Sequence, residues 1–183
     1  MKIYWGGKPK PEPKEVIDDE VLGTVKAFND GLVFENSFFP HYEGLEFKYV
    51  TENNEQIPAR ISKTEGFDVE YDDFAGNREE YLTHIRRIRS LEKIIMDEVL
   101  SRAEEEISQD LALESEEFRN SLVSINISVG VDISDILDSP DEANISSYTT
   151  VLSDHGAWNL SVFYSVDLAN GTIEYLDQDA GHG

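Results

Sequence analysis

The sequence predicts an α+β domain. An antiparallel, meandering sheet of about six to eight strands packs on one long central helix, about 78–108, with a short second helix beside it. Three observations predict this. Val123, Ile125, Ile127, Val129, Val131 and Ile133 alternate strictly with Ser124, Asn126, Ser128, Gly130, Asp132 and Ser134, the period of a strand with one face on a core. Tyr81, Ile85, Ile88, Leu91, Ile95, Val99, Ala103 and Ile107 recur every three or four residues, one stripe of a helix about 30 residues long. Asn29-Asp30-Gly31 and Asn170-Gly171 separate apolar runs, as hairpin turns do.

Residues 1–15 read as a Pro/Lys-rich tail ahead of a single domain over 16–183. GGKPKPEPK, residues 6–14, favours an extended chain, and Met1 to Trp5 reads as a short edge strand or a loose tip. From Val21 the pattern is β. Leu22 to Phe28 and Leu32 to Glu35 flank the first turn. Leu45, Phe47 and Tyr49 alternate with Glu46, Lys48 and Val50. Ile57, Ala59 and Ile61 follow, and Pro58 among them lacks an amide donor, which predicts an edge strand. Val69 and Tyr71 read as one more short strand.

The period then changes to that of a helix. Asn77 with Glu80 reads as a capping box at its start. Leu82, Ile94 and Leu100 broaden the stripe, and Glu98 and Glu106 flank Arg102 at i,i+4 spacing. Ser115 reads as the cap of the second helix, ending near Ser121. Residues 134–147 read as an acidic loop and Tyr148 to Leu152 as a strand. Trp158, Leu160, Val162, Tyr164 and Val166 form the apolar face of a final hairpin. His155 and Gly156 precede it as loop residues.

The formal net charge is −23. Residues 1–93 carry 13 Lys+Arg and 19 Asp+Glu, whereas residues 94–183 carry only Arg102 and Arg119 against 19 acids. A field of that sign repels nucleic-acid phosphate and anionic membrane and attracts a basic protein or a cation. There are no cysteines, so no disulfide or thiolate chemistry is expected. The first residues lack the apolar core of a signal peptide, and no apolar run reaches the length of a membrane span. A cytoplasmic location is the expectation, and the sequons at Asn126, Asn144, Asn159 and Asn170 carry no weight there.

No glycine-rich phosphate loop is present. Asp132, Asp135, Asp138 and Asp141 recur every three residues, which is not the ligand order of a calcium loop. No metal and no cofactor are therefore expected. Arg78, Arg86, Arg87, Arg89 and Lys93 crowd the first half of the long helix, where pairing with acids of neighbouring elements is the expectation. No catalytic residue is assigned. His84 reads as a surface or boundary residue and His182 as part of a frayed tail.

The candidate binding surface is Asp132, Asp135, Asp138, Asp141 and Glu142 of the acidic loop, with Asp154, His155 and Trp158 of the hairpin. Aromatic groups inside a charged rim suit a protein interface. The expected function is non-enzymatic binding of a basic protein, in its sharpest form an immunity-type inhibitor of a basic toxin. The alternative is a small-molecule enzyme using His41 or His155 with a nearby carboxylate.

Leu22-Gly23-Thr24-Val25 opening a β-meander, the Phe28 to Glu35 hairpin, the long helix, the Phe118 to Val129 helix-to-strand step and the Ser153 to Gly181 hairpin give an order of elements. That order resembles a bacterial family of α+β domains of unknown function. Members carry an aromatic-Gly-His block before the penultimate strand, where this chain has Asp154-His155-Gly156-Ala157-Trp158. The resemblance implies the fold and a link to toxin-immunity neighbourhoods, and it assigns no catalytic residue.

Overall fold

Strict alternation at 123–133 becomes the long strand β7 (Leu122–Asp132). Ile125, Ile127, Val129 and Val131 are buried along it. The register shifts between Leu122 and Ser124, so Val123 sits at a bulge and is exposed. The computed structural model describes residues 11–64 and 66–182. The expectations for Met1 to Trp5 and for most of the 6–14 stretch lie outside them.

The fold is α+β, with two sheets rather than one meander. The smaller sheet has the order β1-β2-β3-β6, from β1 (Glu15–Asp19), β2 (Gly23–Phe28), β3 (Gly31–Phe34) and β6 (Phe67–Asp68). β2 and β3 are the hairpin read from Asn29-Asp30-Gly31. β1 went unread because EVIDD is mostly charged. The short strand expected at Val69 and Tyr71 falls instead at Phe67–Asp68, and Tyr71 opens a helix, α1 (Tyr71–Gly76).

The larger sheet has the order β10-β9-β8-β7-β5-β4. It adds β4 (Glu46–Val50), β5 (Gln56–Ile61), β8 (Glu142–Ser153), β9 (Gly156–Asp167) and β10 (Thr172–His182). All neighbours pair antiparallel except β5 and β7, which are parallel. The strand of Pro58 is therefore internal, and the edge is β4. The pairing of β5 with β7 begins only at Ala59, so the missing Pro58 amide falls at its margin. β8 starts six residues earlier than Tyr148, because Ala143, Ile145, Ser147, Thr149, Val151 and Ser153 all turn inward. Three of those are hydroxyl residues, which hid the alternation.

The long helix is two helices, α2 (Arg78–Ser90) and α3 (Glu92–Leu111), broken at Leu91. Ser90 Oγ donates to the Arg87 carbonyl at 2.6 Å. That oxygen would take the Leu91 amide in a continuous helix. The Leu91 amide turns to the Ile88 carbonyl instead, at 3.0 Å. The predicted stripe is otherwise buried as read. The capping box is not formed. Asn77 makes no side-chain cap, and its Nδ2 donates to the Asp73 carbonyl. Ser115 does cap α4 (Glu116–Arg119), accepting from the Phe118 amide at 3.2 Å.

One buried hydrophobic cluster includes residues of both sheets and of all four helices. Phe34, Phe38, Phe39 and Phe67 pack within it, with ring centroids 4.7 to 5.1 Å apart. α2 is tied to β1 by Arg78–Glu15 and Arg86–Asp19. α3 lies on the inner face of the larger sheet. There Arg102 sits 4.5 Å over the Tyr175 ring, Gln178 Nε2 donates to Glu106, and the Tyr49 hydroxyl meets Ser108 Oγ at 2.9 Å. The final hairpin is as read. Trp158, Leu160, Val162, Tyr164 and Val166 are buried, each contributing about 1.5–3 kcal/mol of apolar burial. Gly171 takes φ +66 at its turn, a conformation costly for any side chain.

Candidate functional site

The residues read as one surface lie in two places. Asp132, Asp135, Asp138, Asp141 and Glu142 stay together at the loop joining β7 to β8. Asp154 and His155 form the turn joining β8 to β9, at the other end of β8, roughly 36 Å away for twelve strand residues. Trp158 is buried under the sheet, so it offers nothing to a partner. Spacing along the chain cannot show that β8 is long enough to separate them.

The acidic loop is docked by its own apolar residues, Ile133 and Ile136, both buried. Arg87 donates to the Pro140 carbonyl and to Asp141, each at 2.8 Å. His84 Nδ1–H donates to the same carbonyl at 3.2 Å. His84 is thus a buried residue rather than a boundary one. Burial pushes its pKa down, against the Pro140 bond that favours the charged ring.

His155 is exposed and, among the described residues, has no carboxylate partner; its amide bonds Ser153 Oγ. His41 does have one. Glu92 Oε2 accepts from Nδ1 at 2.7 Å, and Oε1 accepts from the His41 amide at 2.8 Å. Glu92 is buried, but the His41 ring is 79% exposed. The pair docks the 38–44 segment on the start of α3. His182 is not frayed. It pairs opposite Trp158 in β10 and meets Glu114 at 3.0 Å. Among the described residues no group of three or more His, Asp or Glu side chains is arranged to hold a metal ion.

The concave feature with converging chemistry is a cleft between α3 and the edge strand β4, which sequence reading missed. Its apolar stretch encloses about 370 Å³, lined by Phe47, Val50, Leu100 and Ile107, with Lys48 and Glu104 at its margin. Beyond Tyr49 it runs into a pocket of about 150 Å³ lined by Glu52, Glu55, Glu116 and Arg119. Among the described residues none of these four carboxylates, nor Lys48 or Arg119, forms an ion pair within 4.0 Å. Phe47 stays partly exposed on the face it shares with Tyr49, and Val50, paired with Gln56, stands on the other face of this edge strand. One clue was present in the sequence: Leu100 lies beyond the stripe that the sheet needs.

Fold and cleft together define an α+β domain with a helix-flanked groove that has an apolar floor and an acidic end. The chain matches no protein-family model, no curated protein and no solved structure. No helix among the described residues is long and apolar enough to cross a membrane.

Proposed function

We propose that this domain binds a protein, capturing an extended basic and apolar segment in the α3–β4 cleft. The observation that carries the reading is the pairing of an apolar floor with Glu52, Glu55, Glu104 and Glu116, set against only Lys48 and Arg119. A partner's aliphatic side chains fill the floor and its lysines or arginines meet the acidic end. The edge of β4, unpaired among the described residues, offers backbone hydrogen bonds to an added strand. Carboxylates elsewhere on the C-terminal half hasten the encounter. An immunity-type inhibitor of a basic toxin is the sharpest form of this reading, and the order of elements favours it.

The test is fluorescence anisotropy with a ten-residue peptide alternating valine and lysine. Binding at low salt that weakens about tenfold or more at high salt is expected. Glu52→Lys with Glu116→Lys abolishes it, and an alternating valine–glutamate peptide does not bind. An affinity indifferent to both substitutions removes the cleft as the site.

A second reading rests on the His41–Glu92 pair, which holds Nδ1 and leaves Nε2 to solvent. Turnover of activated esters, lost in His41→Gln, would establish an enzyme. Equal background rates in the two proteins would remove that reading.

A further inference from the structure

The first half of α2 and the loop joining β7 to β8 leave a groove between them. It holds about 460 Å³, with Ile136, Leu137 and Pro140 on the loop side and Glu79, Glu80 and Thr83 on the helix side. Leu137 is 47% exposed there. Asp135 and Asp138 flank Ile136 and Leu137 in the loop, and they are exposed, as are Glu79 and Glu80. Among the described residues none of these four carboxylates forms an ion pair. Apolar walls beside unneutralised acid call for an occupant that is both apolar and basic.

The first ten residues of the chain, MKIYWGGKPK, have that chemistry. They hold Lys2, Lys8 and Lys10, three of the 15 Lys+Arg, and none of the 38 Asp+Glu. Ile3, Tyr4 and Trp5 supply the apolar part. They are also tethered beside the groove. The Lys14 amide donates to the Ala27 carbonyl at 2.8 Å, and Glu15 pairs with Arg78. From there β1 runs along α2 to the Arg86–Asp19 pair, so the residues before Glu15 leave away from α3. Arg78 and Arg86 mark the flank of α2 that holds β1. His84 and Arg87 mark the flank that holds the loop. Glu79 and Thr83 lie exposed between the two flanks. Crossing that crest spans a helix of about 10–12 Å in diameter. From Glu15 back to Trp5 is ten residues, which extended reach about 33 Å. The α3–β4 cleft begins at Leu100, roughly 33 Å of helix beyond Arg78, which a fully taut segment would only just touch.

We propose that residues 1–10 strap over the first turns of α2 and occupy this groove within the same molecule. Pro9, Pro11 and Pro13 favour an extended crossing, on which Lys10 and Lys8 pass Glu79 and Glu80. Ile3 and Trp5, on one side of an extended chain, cover Leu137 and Pro140. Lys2 reaches the carboxylates of Asp135 and Asp138. The strap covers an exposed apolar side chain of the loop and neutralises part of the acid around it. Any basic partner drawn to the acidic loop then has to displace it.

The inference does not depend on peptide binding in the α3–β4 cleft. Acrylamide quenching of Trp5 fluorescence in the full chain tests it. The Trp5 signal is the difference between the parent and Trp5→Phe, since the other tryptophan, Trp158, is buried. The reference is the free decapeptide MKIYWGGKPK. Quenching of Trp5 in the chain is expected to be about threefold weaker than in the peptide, or less. Leu137→Ser, and separately Glu79→Lys with Glu80→Lys, raise it about twofold or more. These three side chains are exposed, and circular dichroism checks that the variants fold. Glu52→Lys with Glu116→Lys leaves the quenching unchanged. Trp5 quenched as in the free peptide overturns the inference. So does a shielded Trp5 that ignores the groove variants, or one released by the cleft variant instead. Shielding that grows over a hundredfold range of protein concentration assigns the segment to a second copy and overturns the contact within one molecule.

Discussion

Arg86 on α2 grips Asp19 at the end of β1 through one carboxylate oxygen, with Nε at 2.9 Å and Nη2 at 2.5 Å. The other oxygen accepts the amides of Val21 and Leu22, each at 2.9 Å. One side chain thereby turns the chain between β1 and β2 and ties the small sheet to the helix layer. The basic cluster of the helix is thus spent on structure: Arg78, Arg86 and Arg87 each hold an acid of a neighbouring element.

Burial pushes the Asp19 carboxyl up, but the Arg86 bond and the two amides outweigh it, and its pKa lies below 3.8. A depressed carboxylate stabilises the fold above its unfolded pKa, and that stability is lost as pH falls through the folded value. Asp19→Asn should cost about 2 kcal/mol at pH 7, a buried charge-assisted bond discounted for the partly exposed Arg86. Urea denaturation at pH 7 and at pH 3 checks it, with the difference between the proteins shrinking at the lower pH.

His84 gives the opposite case of a depressed base. Its folded pKa lies below 6.5 because burial disfavours the charged ring. The unfolded chain takes up the proton first, so stability declines as pH falls below about 6.5, the unfolded value. The His84→Gln protein should lose less stability than the parent between pH 7.5 and 5. Thermal unfolding at the two pH values is the measurement. Equal losses would show that the ring contributes nothing to acid sensitivity.

Glu106 and Asp110 stand four residues apart on α3, and Glu114 follows just past its end. Burial raises the Asp110 pKa, and the two neighbouring carboxylates add to it. A raised carboxyl is charged at a cost throughout neutral pH. Asp110→Asn should therefore stabilise the protein by about 0.5 kcal/mol, less in high salt. Chemical denaturation of both proteins at two salt concentrations checks the sign.

Burial pushes Tyr164 up to about 12. Ser147 beside the hydroxyl works against that rise, yet among the described residues no hydrogen bond of ordinary geometry satisfies it. Stability should fall as pH rises from 10 towards 12, where the unfolded chain ionises first. Tyr164→Phe should leave neutral-pH stability within about 0.5 kcal/mol of the parent or raise it, since an unbonded buried hydroxyl is removed. It should also soften the alkaline decline. Unfolding midpoints at pH 7 and 10.5 test both parts.

Elements that announce themselves locally were legible. The buried stripe from Tyr81 to Ile107, the alternation from Ile125 to Val131, and the Asn-Gly turns all reflect short-range periodicity. The break at Leu91 was less visible, since a serine hydroxyl at position 90 competes for one carbonyl without changing the apolar period. The candidate surface failed for a different reason. Asp141 and Asp154 are thirteen residues apart in sequence, yet an extended strand holds them at opposite ends of the sheet.

The sequence by itself determined the local periods, the hairpin turns, the absence of thiol chemistry and the lopsided charge, because each is a property of neighbouring residues or of composition. Only the tertiary structure decided that β5 runs parallel beside β7, that β4 is left at the edge, and that Glu52 and Glu116 close one end of a cleft floored by Phe47 and Leu100. Strand order and cleft shape depend on contacts between residues some 60 apart. The energy of those contacts comes from burial shared by the whole core, and no short stretch of the chain records it.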